Sequence, residues 1–241
     1  MKQLCFIGTS HLAALAHAWF QGESARYSKF QASFFAGGGS SLYEAEFSPN
    51  TIKAPIASKL AENFQRSAQG ETTINLDQYD YFIFQGLDYP IIEILRLSLL
   101  LAKHEQFFSS DCLKNGFIHH LESQPITPCI QHILHYTTAP IIISTTPKTS
   151  YLALQNQPLE YSSYLLYADF FELLFLTAKH ELFNDPRLTL IKQPEETLAT
   201  PFFTKTDYLN KTCFAKHHDY WHKTPNYGQA VLKKIFAQLT D

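Results

Sequence analysis

The sequence LCFIGTSHLAALAHAW at residues 4–19 decides the fold that we predict for this chain. An apolar run over Leu4–Ile7 stops at Gly8, and apolar residues then recur at helical spacing as far as Trp19. This order predicts a buried strand, a tight turn and a helix. Continuous apolar strands that alternate with helices are typical of a parallel sheet that is covered on both faces.

Four further apolar runs end in small or polar residues in the same way. They lie at 30–36, 81–84, 141–143 and 188–191, and helical patterns lie between and after them at 52–65, 91–104, 164–182 and 226–239. Five short strands suit an open sheet better than an eight-stranded barrel. We therefore predict an α/β fold of three layers, α/β/α, with a five-stranded, mostly parallel, flavodoxin-like doubly wound sheet.

The length and the composition predict a single domain over residues 1–241. The chain has 241 residues, of which 45% are hydrophobic and 17% charged, so it can bury a sizeable core. The segment 109–138 is less regular, and the segment 149–163 is polar and interrupted by proline. We expect each of these two segments to be an insertion or a cover over the sheet.

Charge, cysteine content and hydropathy exclude several classes of protein. The formal net charge of -3 gives no electrostatic reason to expect binding to nucleic acid or to an anionic membrane. The four cysteines form no CxxC pair, which favours reduced thiols in a cytoplasmic compartment. The longest apolar run, 91–102, is shorter than the ~20 residues that span a bilayer. We expect a cytoplasmic protein without a secretory signal or a membrane span.

Ser10 is the first candidate for chemistry. It follows the first predicted strand in the turn Gly8-Thr9-Ser10, so we expect its hydroxyl at the mouth of the sheet. Amide groups at the start of the following helix favour a negative charge that develops there. Serine in this position also often caps a helix, and the local pattern leaves both roles open.

The second candidate is the stretch DYWH at 219–222. A serine nucleophile needs a base, and the base needs a carboxylate that orients it. Asp219 lies three residues before His222, so its carboxylate can reach one imidazole nitrogen and leave the other free for a serine. The same residues also suit a solvated segment before the last helix, with Thr224 as its cap and Pro225 in its first turn.

The third candidate is the glycine run in FFAGGGSS at 34–41. Glycine permits a positive φ and a close backbone approach, so an amide here can be aimed at a substrate oxygen. No Gly-Lys-Ser/Thr follows the run, and the first turn lacks GxGxxG, so the sequence supports neither a P-loop nor a dinucleotide site. A flexible turn is the alternative.

Taken in order, these pieces resemble the SGNH (GDSL-like) hydrolase family. The matching stretches are GTS at 8–10, GGGS at 37–40, QGLD at 85–88 and DYWH at 219–222, so the resemblance spans nearly the whole chain. It implies a serine esterase in which Ser10 is the nucleophile, His222 is the base and Asp219 orients the base. It requires no metal and no organic cofactor.

The resemblance also implies an oxyanion hole. The backbone amides of Ser10 and Gly39, with Gly38 as the alternate, are the expected donors. Two residues depart from the family pattern: Thr9 stands in place of the usual Asp, and Leu87 stands in place of an Asn whose side chain donates to the oxyanion. The Gln85 side chain is a candidate replacement.

The implied substrates are small O-acyl esters, in particular O-acetyl groups on a saccharide. This substrate class follows by analogy, because the turn at 8–12 resembles that of bacterial SGNH-like proteins from surface-polysaccharide gene clusters. A saccharide O-acetyltransferase would use the same residues. An impaired member of the family would instead bind a glycan or an acyl group without turnover, against aromatic residues such as Tyr27, Tyr43, Tyr89, Trp221 and Tyr227.

A metal-dependent hydrolase is the remaining alternative. Imidazole and carboxylate groups suit zinc. They are clustered near the C-terminus at His217, His218, Asp219 and His222. The sequence contains neither HExxH nor a cysteine pair, so we expect no metal site.

Overall fold

The core of the protein is a five-stranded parallel sheet. We describe it from a computed structural model, which covers residues 1–103, 108–154, 167–217 and 219–239. The strand order is β2-β1-β6-β7-β8, and every pairing is parallel. These strands are β1 (Lys2–Gly8), β2 (Phe30–Ala36), β6 (Tyr81–Leu87), β7 (Ile141–Thr145) and β8 (Leu188–Ile191). Each contains one of the predicted apolar runs.

Helices cover both faces of the sheet, so the three-layer prediction is confirmed. They are α1 (Leu12–Ala18), α2 (Ser24–Arg26), α3 (Lys59–Ser67), α4 (Ile91–Ala102), α5 (Ser110–Glu122), α6 (Thr127–Tyr136), α7 (Ala168–Leu182), α8 (Lys211–His217) and α9 (Pro225–Phe236). Helices α1 and α9 contribute to one hydrophobic cluster, and α3 to α7 contribute to the other. Within the described residues, no helix is both long enough and apolar enough to cross a bilayer.

Two small antiparallel sheets and short helical turns complete the structure. Strands β3 (Glu46–Ser48), β4 (Thr51–Lys53) and β5 (Thr73–Asn75) form one sheet, and β9 (Leu198–Thr200) and β10 (Phe203–Thr204) form the other. A π-helical turn continues α1, and 3₁₀ turns connect several of the remaining elements. Their bounds are Trp19–Glu23 for the π turn and Ser41–Glu44, Leu76–Gln78, Tyr151–Leu154, Glu195–Thr197 and Thr206–Tyr208 for the 3₁₀ turns.

Strand β1 contains the apolar run Leu4–Ile7, and the burial of these side chains explains the run. Residues Leu4–Ile7 are fully buried, and alternate side chains enter opposite cores. Cys5 and Ile7 pack in the cluster that contains α3, whereas Leu4 and Phe6 pack in the cluster that contains α1. A strand that is covered on both faces needs apolar residues at odd and even positions alike. This is why a continuous apolar run predicted β1 correctly.

The predicted helix over 52–65 is wrong in its first part. Residues Thr51–Lys53 form strand β4, and α3 begins only at Lys59. Pro55 lies between the two elements and has no N–H to contribute to a continuous helix. Ser58 caps α3 through its hydroxyl, which accepts a hydrogen bond from the Ala61 amide at 3.0 Å.

The segment 109–138 is more regular than we predicted, because it forms α5 and α6. Both helices bury one face in the core and carry histidines elsewhere, which obscured the helical pattern. Their buried residues include Leu113, Phe117 and Leu121 in α5 and Ile130 and Ile133 in α6. The segment therefore covers one face of the sheet.

The other predicted segments agree in part with the structure. Helix α4 ends at Ala102, α7 begins at Ala168 and α9 spans Pro225–Phe236, while residues 104–107 and 155–166 lie outside the described part of the chain. Thr149 and Ser150, at the start of the polar segment 149–163, are buried.

Gly228 is a point of close contact between α1 and α9. A Cβ atom at this position would lie 2.0 Å from the Ala14 carbonyl oxygen and 3.0 Å from the Ala18 Cβ. Only glycine therefore lets the backbone of α9 come this near to α1. Because α1 follows Ser10 and α9 follows His222, this contact sets the distance between the two predicted halves of the site.

Replacing Gly228 with alanine should destabilise the protein by about 1–3 kcal/mol, because the helices must separate to admit the methyl group. Gly116→Ala in α5 is the matched control, since a Cβ there has no atom within 4 Å. That control should gain about 0.5–1 kcal/mol from helix propensity. Urea unfolding of both variants measures the difference, and equal stabilities would contradict the close contact.

Candidate functional site

Three turns meet at one edge of the sheet, where the strand order reverses. Strand β1 lies between β2 and β6, and Gly8 at its end is in register with Ala36 and with Gln85. Ligands of open parallel sheets bind outside the carboxyl ends of the strands at such a reversal. The turn that carries Ser10, the glycine run and the stretch 85–88 therefore lie side by side.

Two glycines let the Ser10 turn pack against the end of β6. A Cβ on Gly8 would lie 2.3 Å from the Gln85 carbonyl oxygen, which accepts a hydrogen bond from the Thr9 amide at 3.1 Å. Gly86 has φ +143°, and a Cβ there would lie 2.8 Å from the Thr9 side chain. A side chain at either glycine would push the turn away from the sheet.

Ser10 is half-buried at the start of the turn into α1. Its carbonyl accepts a hydrogen bond from the Ala13 amide at 3.2 Å, and no side chain caps this helix. Among the described residues, the Ser10 hydroxyl makes no hydrogen bond, either to His222 or to the helix. The Ser10 hydroxyl therefore does not cap α1, which was the alternative role that the sequence left open.

Asp219 and His222 form the hydrogen bond that their spacing predicts. Asp219 Oδ2 bonds to His222 Nδ1, and Asp219 Oδ1 accepts from the amides of Trp221 at 2.8 Å and His222 at 3.1 Å. Burial acts to raise the pKa of Asp219, but these hydrogen bonds outweigh it and hold the pKa below its ordinary value. The ionised carboxylate accepts the Nδ1 proton and leaves His222 Nε2 without a partner in the described residues.

Several hydrogen bonds fix the loop that carries this pair. The Tyr220 carbonyl accepts from the Ser150 amide at 3.0 Å and from Lys223 Nζ at 2.9 Å, and the His222 carbonyl accepts from the Asn210 amide at 3.0 Å. Lys223 is only 5% exposed. Burial lowers its pKa to about 7, and the Asp219 charge partly opposes this shift.

His11 connects the Ser10 turn to the loop that carries His222. The His11 and His222 rings lie 5.4 Å apart between centroids and are tilted by 31°. Because His11 directly follows Ser10, this contact places His222 beside the turn of the predicted nucleophile. Our sequence analysis assigned no role to His11, although it stands inside the motif that carries the family resemblance.

The His11 imidazole is held in its neutral form. Its Nδ1 atom is inaccessible to solvent and has no hydrogen-bond partner among the described residues. Burial is the main reason that its pKa falls from 6.5 to about 3, and the charges of His222 and Lys223 lower it further against the opposing charge of Asp219. His11 therefore contributes no positive charge beside His222.

The pH dependence of stability tests this assignment. An unfolded His11 binds a proton near pH 6.5, whereas the folded one does so only near pH 3. Its contribution to stability is therefore complete above about pH 6.5 and is lost as the pH falls from there towards 3. His11→Phe should lose less thermal stability than the wild type between about pH 7.5 and pH 5, as measured by differential scanning fluorimetry.

The exposed His119 provides the control for that measurement. His119→Phe removes an imidazole whose side chain is 89% exposed, so its pH profile should match that of the wild type. Identical profiles for His11→Phe and the wild type would contradict a buried neutral imidazole.

The glycine run forms an open loop after β2. Gly39 has φ +57°, and a Cβ on Gly37 would lie 2.4 Å from the Leu42 side chain. The Gly37 amide donates to the Gly8 carbonyl at 2.7 Å, which ties the loop to β1. The amides of Gly38 and Gly39 have no acceptor within the described part of the chain, so both are free to bind a substrate oxygen.

The stretch 85–88, which follows the apolar part of β6, contributes buried residues to this edge of the sheet. Gln85 is fully buried, and its Nε2 donates to the Thr145 carbonyl at 2.6 Å, at the end of β7. Leu87 is fully buried in the core and has no polar atom to offer. The role of Gln85 as an oxyanion donor stays a prediction, and the hydrogen bond to Thr145 already uses one of its two N–H groups.

The other candidate groups differ in where they lie. Tyr89 and Tyr227 are core residues, and Tyr27 stacks on Phe236 at 3.8 Å between ring centroids, so these three are not free stacking platforms. Trp221 is 38% exposed and Tyr43 is 56% exposed.

In the described ranges, no three metal-ligating side chains converge, while His218 and the His217 side chain lie outside those ranges.

A separate cavity of about 410 Å³ borders α7 and the β9–β10 hairpin. None of the predicted site residues lines it. Two of its polar side chains are already bonded: Lys148 Nζ donates to Glu172 at 3.0 Å and to the Pro201 carbonyl at 2.5 Å, and Gln193 Nε2 donates to the hydroxyls of Thr197 and Thr204. We therefore assign no ligand to this cavity.

Comparison with known proteins finds distant structural neighbours only. No protein-family model and no curated protein matches the chain. Solved structures with a similar fold include a lipase, Lip_vut3, from a goat rumen metagenome, with 10% identity, a TM-score of 0.45 and coverage of 98% of this chain and 97% of that one. Another is the periplasmic domain of a lipopolysaccharide acetyltransferase from Salmonella ser. Paratyphi A, with 13% identity, a TM-score of 0.46 and coverage of 99% and 84%.

A family two carbohydrate esterase from Clostridium thermocellum also matches, with 11% identity, a TM-score of 0.44 and coverage of 98% of this chain and 63% of that one. At these identities and scores, the similarities carry no argument about activity. The function must therefore be argued from the side chains of this protein.

Proposed function

We propose that this protein is a serine esterase of the SGNH type that acts on small O-acyl esters, with O-acetyl groups on a saccharide as the preferred class. Ser10 is the nucleophile, His222 the base and Asp219 the orienting carboxylate. The contact between His11 and His222 is the observation that carries this proposal. It brings the turn of Ser10 next to a histidine that already has its carboxylate partner.

In the first half of the reaction, His222 Nε2 accepts the Ser10 Oγ proton as the oxygen attacks the ester carbonyl. Asp219 stabilises the imidazolium that forms. His222 then returns the proton to the departing alcohol, which leaves an acyl group on Ser10. In the second half, His222 accepts a proton from water as the water oxygen attacks the acyl-serine carbonyl. His222 then returns that proton to Ser10 Oγ as the bond between Ser10 and the acyl group breaks, so that the acid is released and Ser10 is restored.

The oxyanion of both tetrahedral intermediates binds to backbone amides in this mechanism. Ser10 and Gly39, with Gly38 as the alternate, supply the N–H groups, whereas Leu87 supplies none. Loss of one such donor costs about 10²–10³ in rate in other enzymes. A protein with an impaired hole and no turnover is therefore the second candidate, and the buried Leu87 is the observation that favours it.

Trp221 supports a saccharide as the alcohol part of the ester. Its indole is 38% exposed, whereas the other tryptophan, Trp19, is 4% exposed. The hydrogen bond from its amide to Asp219 keeps its backbone in a fixed relation to His222. A flat apolar surface beside the base suits the C–H face of a sugar ring. An acetyltransferase would use the same surface for its acceptor sugar.

Ser10→Ala should reduce the hydrolysis of p-nitrophenyl acetate to the buffer rate. A fluorophosphonate probe should label the wild type and the control Ser28→Ala, whose serine is exposed, but not Ser10→Ala. Labelling that persists in Ser10→Ala would remove this serine from the mechanism. Turnover that a chelator abolishes would favour the metal alternative, and glycan binding without labelling would favour the binding module.

Trp221→Ala should raise the KM for a mono-O-acetylated monosaccharide about tenfold, because a lost stacking contact is worth about 1.4 kcal/mol. The kcat/KM for p-nitrophenyl acetate should stay within about threefold of the wild type. Trp221→Phe should restore most of the affinity. Phe20→Ala removes an exposed ring elsewhere and should change neither value. Equal losses on both substrates would argue against a sugar platform.

A further inference from the structure

Helix α3 holds the glycine loop at both ends. Three hydrogen bonds connect the two segments: from the Ala36 amide to Ser67 Oγ at 3.0 Å, from Asn63 Nδ2 to Ser41 Oγ at 3.2 Å, and from the Leu60 amide to Glu44 Oε2 at 3.0 Å. The contacts on the helix lie at positions 60, 63 and 67, which share one face. The loop is therefore clamped by one side of one helix.

Asn63 is the central residue of this clamp. Its half-buried amide bonds to Ser41, which is itself only 3% exposed. The same Nδ2 atom lies 3.4 Å from the point where a Cβ on Gly38 would be, so the amide packs against the Gly38 backbone. The backbone carbonyl of Asn63 also accepts a hydrogen bond from Ser67 Oγ at 2.9 Å. The same Ser67 hydroxyl accepts a hydrogen bond from the Ala36 amide.

The loop needs such support because glycine does not fix its own backbone. Consecutive glycines have more conformational freedom to lose than any other residues. The amides of Gly38 and Gly39 serve an oxyanion only if they point at the place where the charge develops. The buried Leu87 adds no donor of its own, so the accuracy of these amides matters more here.

We propose that Asn63 is a positioning residue that sets the amides of Gly38 and Gly39 for oxyanion binding. This inference rests on the proposed esterase function. Asn63 acts through the hydrogen bond to Ser41 on one side of the loop and through its packing against Gly38 on the other.

The Asn63→Asp variant tests whether Asn63 positions the loop or contacts the oxyanion directly. Asn63→Asp has the same shape, and the Ser41 hydroxyl donates to its carboxylate, so the bond to the loop is kept with its direction reversed. If Asn63 donated directly to the oxyanion, the aspartate charge would instead repel it. Asn63→Asp would then be the poorest variant.

The experiment measures p-nitrophenyl acetate kinetics and the rate of fluorophosphonate labelling for Asn63→Ala, Asn63→Asp and Ser41→Ala. Asn63→Ala should lower kcat and the labelling rate by about 10- to 100-fold, with KM within about threefold of the wild type. Asn63→Asp should stay within about threefold of the wild type in both rates. Asn50→Ala is the matched control, because its exposed amide bonds to Asp77 and to no residue of the glycine loop, and its rates should be unchanged.

A double-mutant cycle gives a second test. Asn63→Ala and Ser41→Ala remove the two partners of one bond, so the double variant should be no slower than Asn63→Ala. Fully additive losses, an Asn63→Ala variant with wild-type rates, or an Asn63→Asp variant slower than Asn63→Ala would each overturn the proposal. If Asn63→Ala does not fold by circular dichroism, Asn63→Asp and Ser41→Ala provide the same comparison.

The two proposals fail in different ways. A wild-type protein that the probe does not label would remove the esterase function, and this inference with it. A wild type that is labelled at Ser10 together with an Asn63→Ala variant of equal rate would remove only the role of Asn63.

Discussion

The close contact between α1 and α9 is the constraint on which the rest of the site depends. The Ser10 turn enters α1, and the loop with Asp219 and His222 enters α9. Gly228 lets the two helices approach until a Cβ would touch the Ala14 carbonyl. The approach of these helices therefore brings the Ser10 turn and the loop of His222 together, and the His11–His222 ring contact lies where they meet.

The sheet was predictable from the sequence because burial on both faces leaves a strong pattern. In β1 and β6 the runs Leu4–Ile7 and Tyr81–Phe84 are apolar at every position, and these residues are buried. Elements with one exposed face were harder to predict. Polar residues interrupt α5 and α6, and the three-residue strand β4 is too short to leave a period of its own.

The pairing of Asp219 with His222 was predictable because the two residues are close in the sequence. The hydrogen bond between Asp219 and His222 follows from a spacing of three residues. The contribution of His11 depends on a partner at the other end of the chain, and that of Asn63 depends on how α3 packs on the glycine loop. The need for glycine at position 228 likewise depends on how closely Ala14 of α1 packs against it. No local pattern contains such pairings, because they arise when distant segments pack.

The order of the site along the chain has a consequence for biosynthesis. The ribosome makes Ser10 well before the loop that carries His222, and β1, an interior strand of the sheet, waits for β6 to cover its second edge. In the proposed mechanism, a nascent chain therefore displays Ser10 before its base, His222, has been made. The serine gains that base only when the segment through Phe236 has left the ribosome and α9 has docked against α1.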